Sequence, residues 1–133
     1  MKKLMMIMVA ATLVLASCSK ESKLNRKLDG SWNVVSYSVN GADQPFGTST
    51  MVMEFVKDKK GVGTYTQTST TSSGSSVSTG TYVLTDDTKL TISQLTPTVE
   101  TADQFVVTDY SKSDLTLTMS DALLTIVYKL KKK

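Results

Sequence analysis

The sequence predicts an all-β domain, an eight-stranded antiparallel up-and-down barrel, preceded by a cleaved signal peptide and a short tether. Three observations carry that expectation. From Trp32 onward polarity alternates with a period of two, cleanly in Leu115-Thr116-Leu117-Thr118-Met119 and Met51-Val52-Met53-Glu54-Phe55, less strictly in Leu124-Thr125-Ile126-Val127-Tyr128. Strands with one buried face require such alternation. Turn-forming residues punctuate these runs at short intervals, as hairpin connections do. Finally, a 133-residue chain holding eight consecutive antiparallel strands removes its exposed edges by closing on itself. A two-sheet sandwich is the other architecture that this pattern allows.

The N-terminus reads separately. Lys2 and Lys3 precede an apolar stretch from Leu4 to Leu15 and small residues leading to Cys18, the only cysteine. A basic start, a short apolar core and small residues at the cut make a secretory signal. The apolar stretch is too short to span a bilayer, which takes about 20 residues. Leu15-Ala16-Ser17-Cys18 resembles the lipobox of bacterial lipoproteins. That resemblance implies cleavage before Cys18, a diacylglyceryl group on its thiol and anchorage to membrane lipid. One acyl chain binds a membrane marginally, whereas two or more hold it stably. The chain therefore divides into a signal peptide (1–17), a lipidated cysteine with its tether (18–27) and the barrel domain (28–133).

Cleavage leaves 116 residues, with 13 basic side chains against 12 acidic ones. That is enough for one domain and one core, and so even a balance gives no case for nucleic acid. The polar tether includes Leu24 and Leu28, four apart, so a single helical turn with one apolar edge can close this stretch against the domain. The cluster Lys129, Lys131, Lys132 and Lys133 reads as a solubilising end.

The strands are expected over 32–39, 51–57, 62–70, 76–85, 88–93, 103–109, 114–119 and 122–131. Their turn signals are Asn40-Gly41, Asp58-Lys59-Lys60-Gly61, Ser72-Ser73-Gly74-Ser75, Asp86-Asp87, Pro97 and Ser120-Asp121. Alternation places Trp32, Leu115, Leu117, Ile126 and Tyr128 inside, with Thr116, Thr118 and Thr125 outside. In a meander, alternate connections share an end. The first, third and fifth (Asn40–Thr50, Thr71–Ser75, Gln94–Ala102) are expected to be long loops at one end, where a mouth would lie. Tether and C-terminus share the opposite, closed end, and that end faces the lipid.

Gly30-Ser31-Trp32 at the start of the first strand resembles the Gly-x-Trp signature of lipocalins. Thr108-Asp109-Tyr110 at the sixth connection resembles their Thr-Asp-Tyr motif. Together with the meander, the resemblance covers about residues 24–131 and is closest to the compact lipocalin-like domains of bacterial lipoproteins. It implies that Trp32 packs under the closed end beside a short helical turn, a structural role. It also implies an arginine stacked on that tryptophan from the last strand. Here Lys129, Lys131 or Arg26 are the available cations, and lysine stacks less well.

Three classes of function follow. In the first, the barrel binds a small apolar or amphipathic ligand at its long-loop end. Met51, Met53 and Met119 are the methionines left after signal removal; with Phe105 and Leu124 they map to inward positions near that end, and methionine adapts to varied apolar shapes. Gap-filling core is the competing reading of the same residues. In the second class, a solid barrel acts as an adaptor or inhibitor, contacting an envelope protein or glycan. Thr64–Thr81 suits that role, since 13 of its 18 residues are Ser or Thr, although an exposed hairpin has this composition anyway. The third class, an enzyme, is disfavoured. The chain has no histidine and its cysteine is taken by lipid, which removes Ser-His-Asp and Cys-His chemistry and histidine metal sites. No cofactor is implied. The expected location is the cell envelope, at the outer membrane of a Gram-negative bacterium.

Overall fold

Nine strands follow one another in the computed structural model, which describes residues 24–59, 61–85, 88–96 and 99–133. They are β1 (Gly30–Val39), β2 (Ala42–Gln44), β3 (Thr50–Lys59), β4 (Val62–Thr71), β5 (Gly74–Thr85), β6 (Lys89–Thr96), β7 (Val99–Tyr110), β8 (Asp114–Ser120) and β9 (Thr125–Lys132). The expected signal segment, Cys18, the turn expected at Asp86-Asp87 and Pro97 lie outside the described residues. Eight strands, β1 and β3 to β9, pair antiparallel in chain order. β9 returns to β1, from Trp32↔Lys132 to Val39↔Ile126. That return closes the barrel and rules out an open sandwich.

β2 is an unforeseen ninth strand. Asn40 (φ 50°) and Gly41 (φ 82°) form the two-residue turn before it, both in the left-handed region that Asn-Gly hairpins use. β2 then pairs with Tyr37–Val39. The ladder between β1 and β3 runs only from Gly30↔Phe55 to Asn33↔Val52. Beyond Asn33 the two strands part, and β2 takes the edge that β3 has left.

Two expected long loops are strand instead. The β4–β5 ladder continues to Thr71↔Gly74, and the β6–β7 ladder to Thr96↔Val99. Serine and threonine favour turns in isolation, but here they pair across a hairpin. Thr70 Oγ1 lies 3.0 Å from Ser75 Oγ and Thr71 Oγ1 lies 2.9 Å from Ser73 Oγ. The elaborated connection is therefore 40–49 alone. The turn before β9 runs longer than expected, because the Asp121 carboxylate accepts from the Leu123 and Leu124 N–H groups, both at 2.8 Å. Leu124 thus precedes the strand that was expected to contain it.

The closed end is a packed core. Residues 24–28 form one helical turn, burying Leu24 and Leu28 beneath Trp32, Phe55, Leu115 and Leu130 in one apolar cluster. Residues 24–27, expected within the tether, therefore begin the packed domain. Asn25 is buried between the two leucines and is fully engaged. Its Nδ2 donates to Lys59 O at 3.1 Å and its Oδ1 accepts from Tyr82 Oη at 2.8 Å. A buried amide is tolerated only when both of its ends are satisfied. Trp32 Nε1 donates to Leu28 O at 2.8 Å, so the turn and the first strand lock each other. Gly63 stands opposite Tyr82, and a Cβ there would lie 2.6 Å from the Tyr82 ring; the missing side chain makes room for that ring.

The cation on Trp32 is Lys132, and not Lys129, Lys131 or Arg26. Its Nζ stands 4.6 Å from the centre of the indole and donates to the Asp29 carbonyl. Register explains the choice: Lys132 pairs with Trp32 and shares its inward phase, whereas Lys131 pairs with Asn33. Burial holds the Lys132 amine below its ordinary value, partly offset by the Asp29 carboxylate. Tyr110 of the Thr108-Asp109-Tyr110 motif sits at this same end, with Lys27 Nζ 5.0 Å from its ring centre. A bulge between Val107 and Asp109 resets the phase there.

Candidate binding site

Strand alternation sends one series of side chains into the barrel, and that series changes character along the axis. In the half nearest the helical turn it is apolar and closed to water: Trp32, Phe55, Leu90, Leu115, Leu117 and Leu130 are each at most 2% exposed. Phe55 anchors this half, tilted against Tyr65 and edge-on to Tyr82 at 5.2 and 5.4 Å. Burial pushes the Tyr82 hydroxyl up to about 12, with a smaller push from Asp29.

Farther up, inward-facing residues remain partly accessible. Met51, Gln67, Ser69, Asp103, Met119, Ile126 and Tyr128 all stay accessible to solvent. Their phase follows from pairing: Met51↔Ser69 and Met53↔Gln67 on β3–β4, Ile92↔Asp103 on β6–β7, and Met119↔Ile126 and Leu117↔Tyr128 on β8–β9. Met53, Ile92 and Leu117 are buried members of these pairs. Directly paired residues in an antiparallel ladder share a face. Inward side chains that water still reaches define a cup above a solid floor.

Aromatic rings shape its rim. Tyr37 of β1 stacks on Tyr128 of β9 at 5.9 Å. Phe105 of β7 meets Tyr128 edge-on at 6.1 Å. Phe46, from the 40–49 connection, meets Tyr37 edge-on at 5.0 Å. A turn with Ser49 N–H on Phe46 O at 3.0 Å, passing through Gly47 at φ 60°, aims Phe46 back over the gap between β1 and β3. The resulting cleft holds about 320 Å³ and is lined by Tyr37, Phe46, Met51, Ser69 and Tyr128 among others. Small-molecule sites begin near about 300 Å³.

Polar groups face the same space. Tyr65 Oη donates to Gln67 Oε1 at 2.8 Å, and Gln67 Nε2 reaches Ser69 Oγ at 3.5 Å. Burial holds the Tyr65 hydroxyl well above its ordinary value, and Tyr128 and Asp103 add to the effect. Tyr128 is raised in the same way by burial, then by Tyr37 and Asp103. Asp103 on β7 thus acts on rings carried by β4 and β9, across the lumen.

The five candidate ligand residues separate by depth. Met51 lines the cleft, and Met119 packs on the core while staying partly accessible. Met53 and Phe105 are core side chains, 2% and 6% exposed. Met53 stands opposite Trp32, one step below the opening. Leu124 lies in the turn before β9, partly buried and apart from the packed cluster among the described residues. Sequence reasoning missed Tyr37, Phe46, Gln67, Ser69 and Asp103. Asp103 was findable, since it lies two residues before Phe105 and so shares its phase. Phe46 carried the weaker signal of a lone aromatic between proline and glycine.

Among the described residues no group of acids and cysteines is placed to hold a metal ion, and no helix is long and apolar enough to cross a membrane. A family model described as a lipocalin-like domain matches residues 28–126. No curated protein matches the chain. Among solved structures, a redesigned β-barrel, mFAP1, bound to DFHBI aligns with TM-score 0.58 at 16% identity, over 82% of this chain and 98% of that one. Another redesigned β-barrel aligns with TM-score 0.60 at 14% identity, over 83% and 95%. The siderocalin Ex-FABP, described as functioning through dual ligand specificities, aligns with TM-score 0.55 at 14% identity, over 80% and 74%. At such identities these likenesses concern the barrel alone.

Proposed function

Because the chain belongs to the lipocalin-like domain family, we propose that its barrel is a non-catalytic binding cup for one small amphipathic molecule, held at the cell envelope by lipid on Cys18. The observation carrying this reading is the split in accessibility among inward side chains, dry at the floor and wet above Met53. Tyrosine and Ser69 hydroxyls beside Met51 and Phe46 offer a mixed polar and apolar wall, as small-molecule sites do. The cleft's modest volume favours a short ligand over a long acyl chain. Structural neighbours that bind small molecules, DFHBI in mFAP1 among them, add support by analogy of fold. The adaptor reading is weaker, because the hydroxyls of the β4–β5 hairpin tip hydrogen-bond one another.

N-phenylnaphthylamine, an uncharged fluorescent probe, tests the cup. It is expected to bind saturably at one site, and Met51→Trp is expected to abolish binding with little change in melting temperature, because the indole enters open space. Met53→Trp overpacks the core instead and costs about 1–3 kcal/mol. Absence of saturable binding in the parent, or binding indifferent to Met51→Trp, would contradict the proposal.

A further inference from the structure

Among the described residues, one carboxyl side chain, that of Asp103, faces the upper lumen. Asp103 pairs with buried Ile92, lies two residues from buried Phe105, and stays partly accessible. The other described inward groups at that level include Tyr37, Met51, Gln67, Ser69, Met119, Ile126 and Tyr128, none of them basic. Lys132, the inward lysine, lies at the opposite end, on Trp32. The described inward groups of the upper cup thus include a carboxylate and no lysine or arginine, beside aromatic faces.

We propose that this cup selects small organic cations, with a ligand's ammonium group paired to Asp103 beside Tyr128 and its apolar body against Met51 and Phe46. The assignment rests on the binding-cup reading and adds the sign of the ligand's charge. Three arguments support it. A partly desolvated carboxylate gains more from an opposite charge than it does in bulk water. Aromatic faces attract ammonium groups through their quadrupoles, and Tyr37, Tyr128, Phe105 and Phe46 form a connected set of rings. An anionic ligand finds the reverse, since its carboxylate would meet Asp103 with no arginine or lysine among the described inward residues of the upper lumen. Burial, and after it Asp103 among others, raises the Tyr65 and Tyr128 hydroxyls, and the same low-dielectric, carboxylate-bearing surroundings oppose a second anion there.

Calorimetric titration with octylamine, octanol and octanoate, three ligands of equal chain length, tests the charge. Octylamine is expected to bind at least tenfold tighter than octanol, with octanoate weakest. Asp103→Asn is expected to bring octylamine down to the octanol level, and Asp103→Glu to retain part of the preference. Circular dichroism confirms that each variant is folded. Octanoate binding as tightly as octylamine, or octylamine binding unaffected by Asp103→Asn, would overturn the charge assignment and leave the cup standing. Failure of all three ligands together with N-phenylnaphthylamine would overturn both.

Discussion

Asn25 shows how one polar side chain organises the closed end. Its amide bridges the β3 carbonyl of Lys59 and the hydroxyl of Tyr82 on β5, so the turn at 24–28 is keyed to two strands and cannot slide against them. Tyr82→Phe leaves Asn25 Oδ1 buried without its partner and is expected to cost about 1–3 kcal/mol at neutral pH. The same hydroxyl sets a pH limit. Its value in the folded protein, about 12, exceeds its unfolded value near 10. Above pH 10 the folded state therefore holds more protons than the unfolded one. Linkage makes that stabilisation complete below pH 10 and lost as pH rises towards 12. Chemical denaturation at stepped pH is expected to show stability falling over that window, with Tyr65 adding to the same slope, and a shallower fall in Tyr82→Phe. Asn25 itself was not legible, because a polar residue in the charge-rich run Lys23-Leu24-Asn25-Arg26-Lys27 reads as tether; only the spacing of Leu24 and Leu28 hinted at the turn. Lys132 was legible in principle, since it continues the inward phase of Tyr128 and Leu130.

Elements were read best where alternation was strict. The buried faces of β3 and β8 follow from Met51-Val52-Met53-Glu54-Phe55 and Leu115-Thr116-Leu117-Thr118-Met119, and both strands stand within two residues of expectation at each end. The hairpin tips were misread for a physical reason: serine and threonine satisfy each other across a ladder as readily as they form a turn. β2 escaped notice because three residues carry no periodicity, although Asn40-Gly41 marked its turn. That short strand matters most for function, since it bridges the parting of β1 and β3 where the cleft lies. The helical turn is the element that seals the other end. Leu28→Ala is expected to cost about 2–5 kcal/mol, whereas Val35→Ala, on the outer face at 50% exposure, is expected to change stability little. Comparable losses in urea unfolding would mean that the turn does not plug the barrel.

At the scale of the molecule, one end is sealed and the other open, and the helical turn at 24–28 and the C-terminus gather at the sealed end. Lys133 N–H donates to Ser31 O at 3.0 Å, and Lys132 Nζ reaches Lys27 O at 3.5 Å. Residues 19–23 separate Cys18 from the packed turn, and five extended residues span at most about 18 Å. Lipid on Cys18 would thus hold the sealed end and its lysines near the membrane, where each basic residue gains about 1 kcal/mol from anionic headgroups, and leave the cup facing outward. Cys18→Ala is expected to move the protein from membranes to a soluble or unprocessed pool; a processed variant that stays with membranes after high-salt washing would contradict the anchor.

Methyl NMR during titration with N-phenylnaphthylamine reports whether the cup takes a ligand. The probe is expected to shift the methyl resonances of Met51, Met119 and Ile126 while leaving Leu115, Leu117 and Leu130 in place. Shifts spread over the floor or confined to outward valines such as Val56 and Val106, or no shifts at all, would mean that the barrel has no ligand-accepting interior.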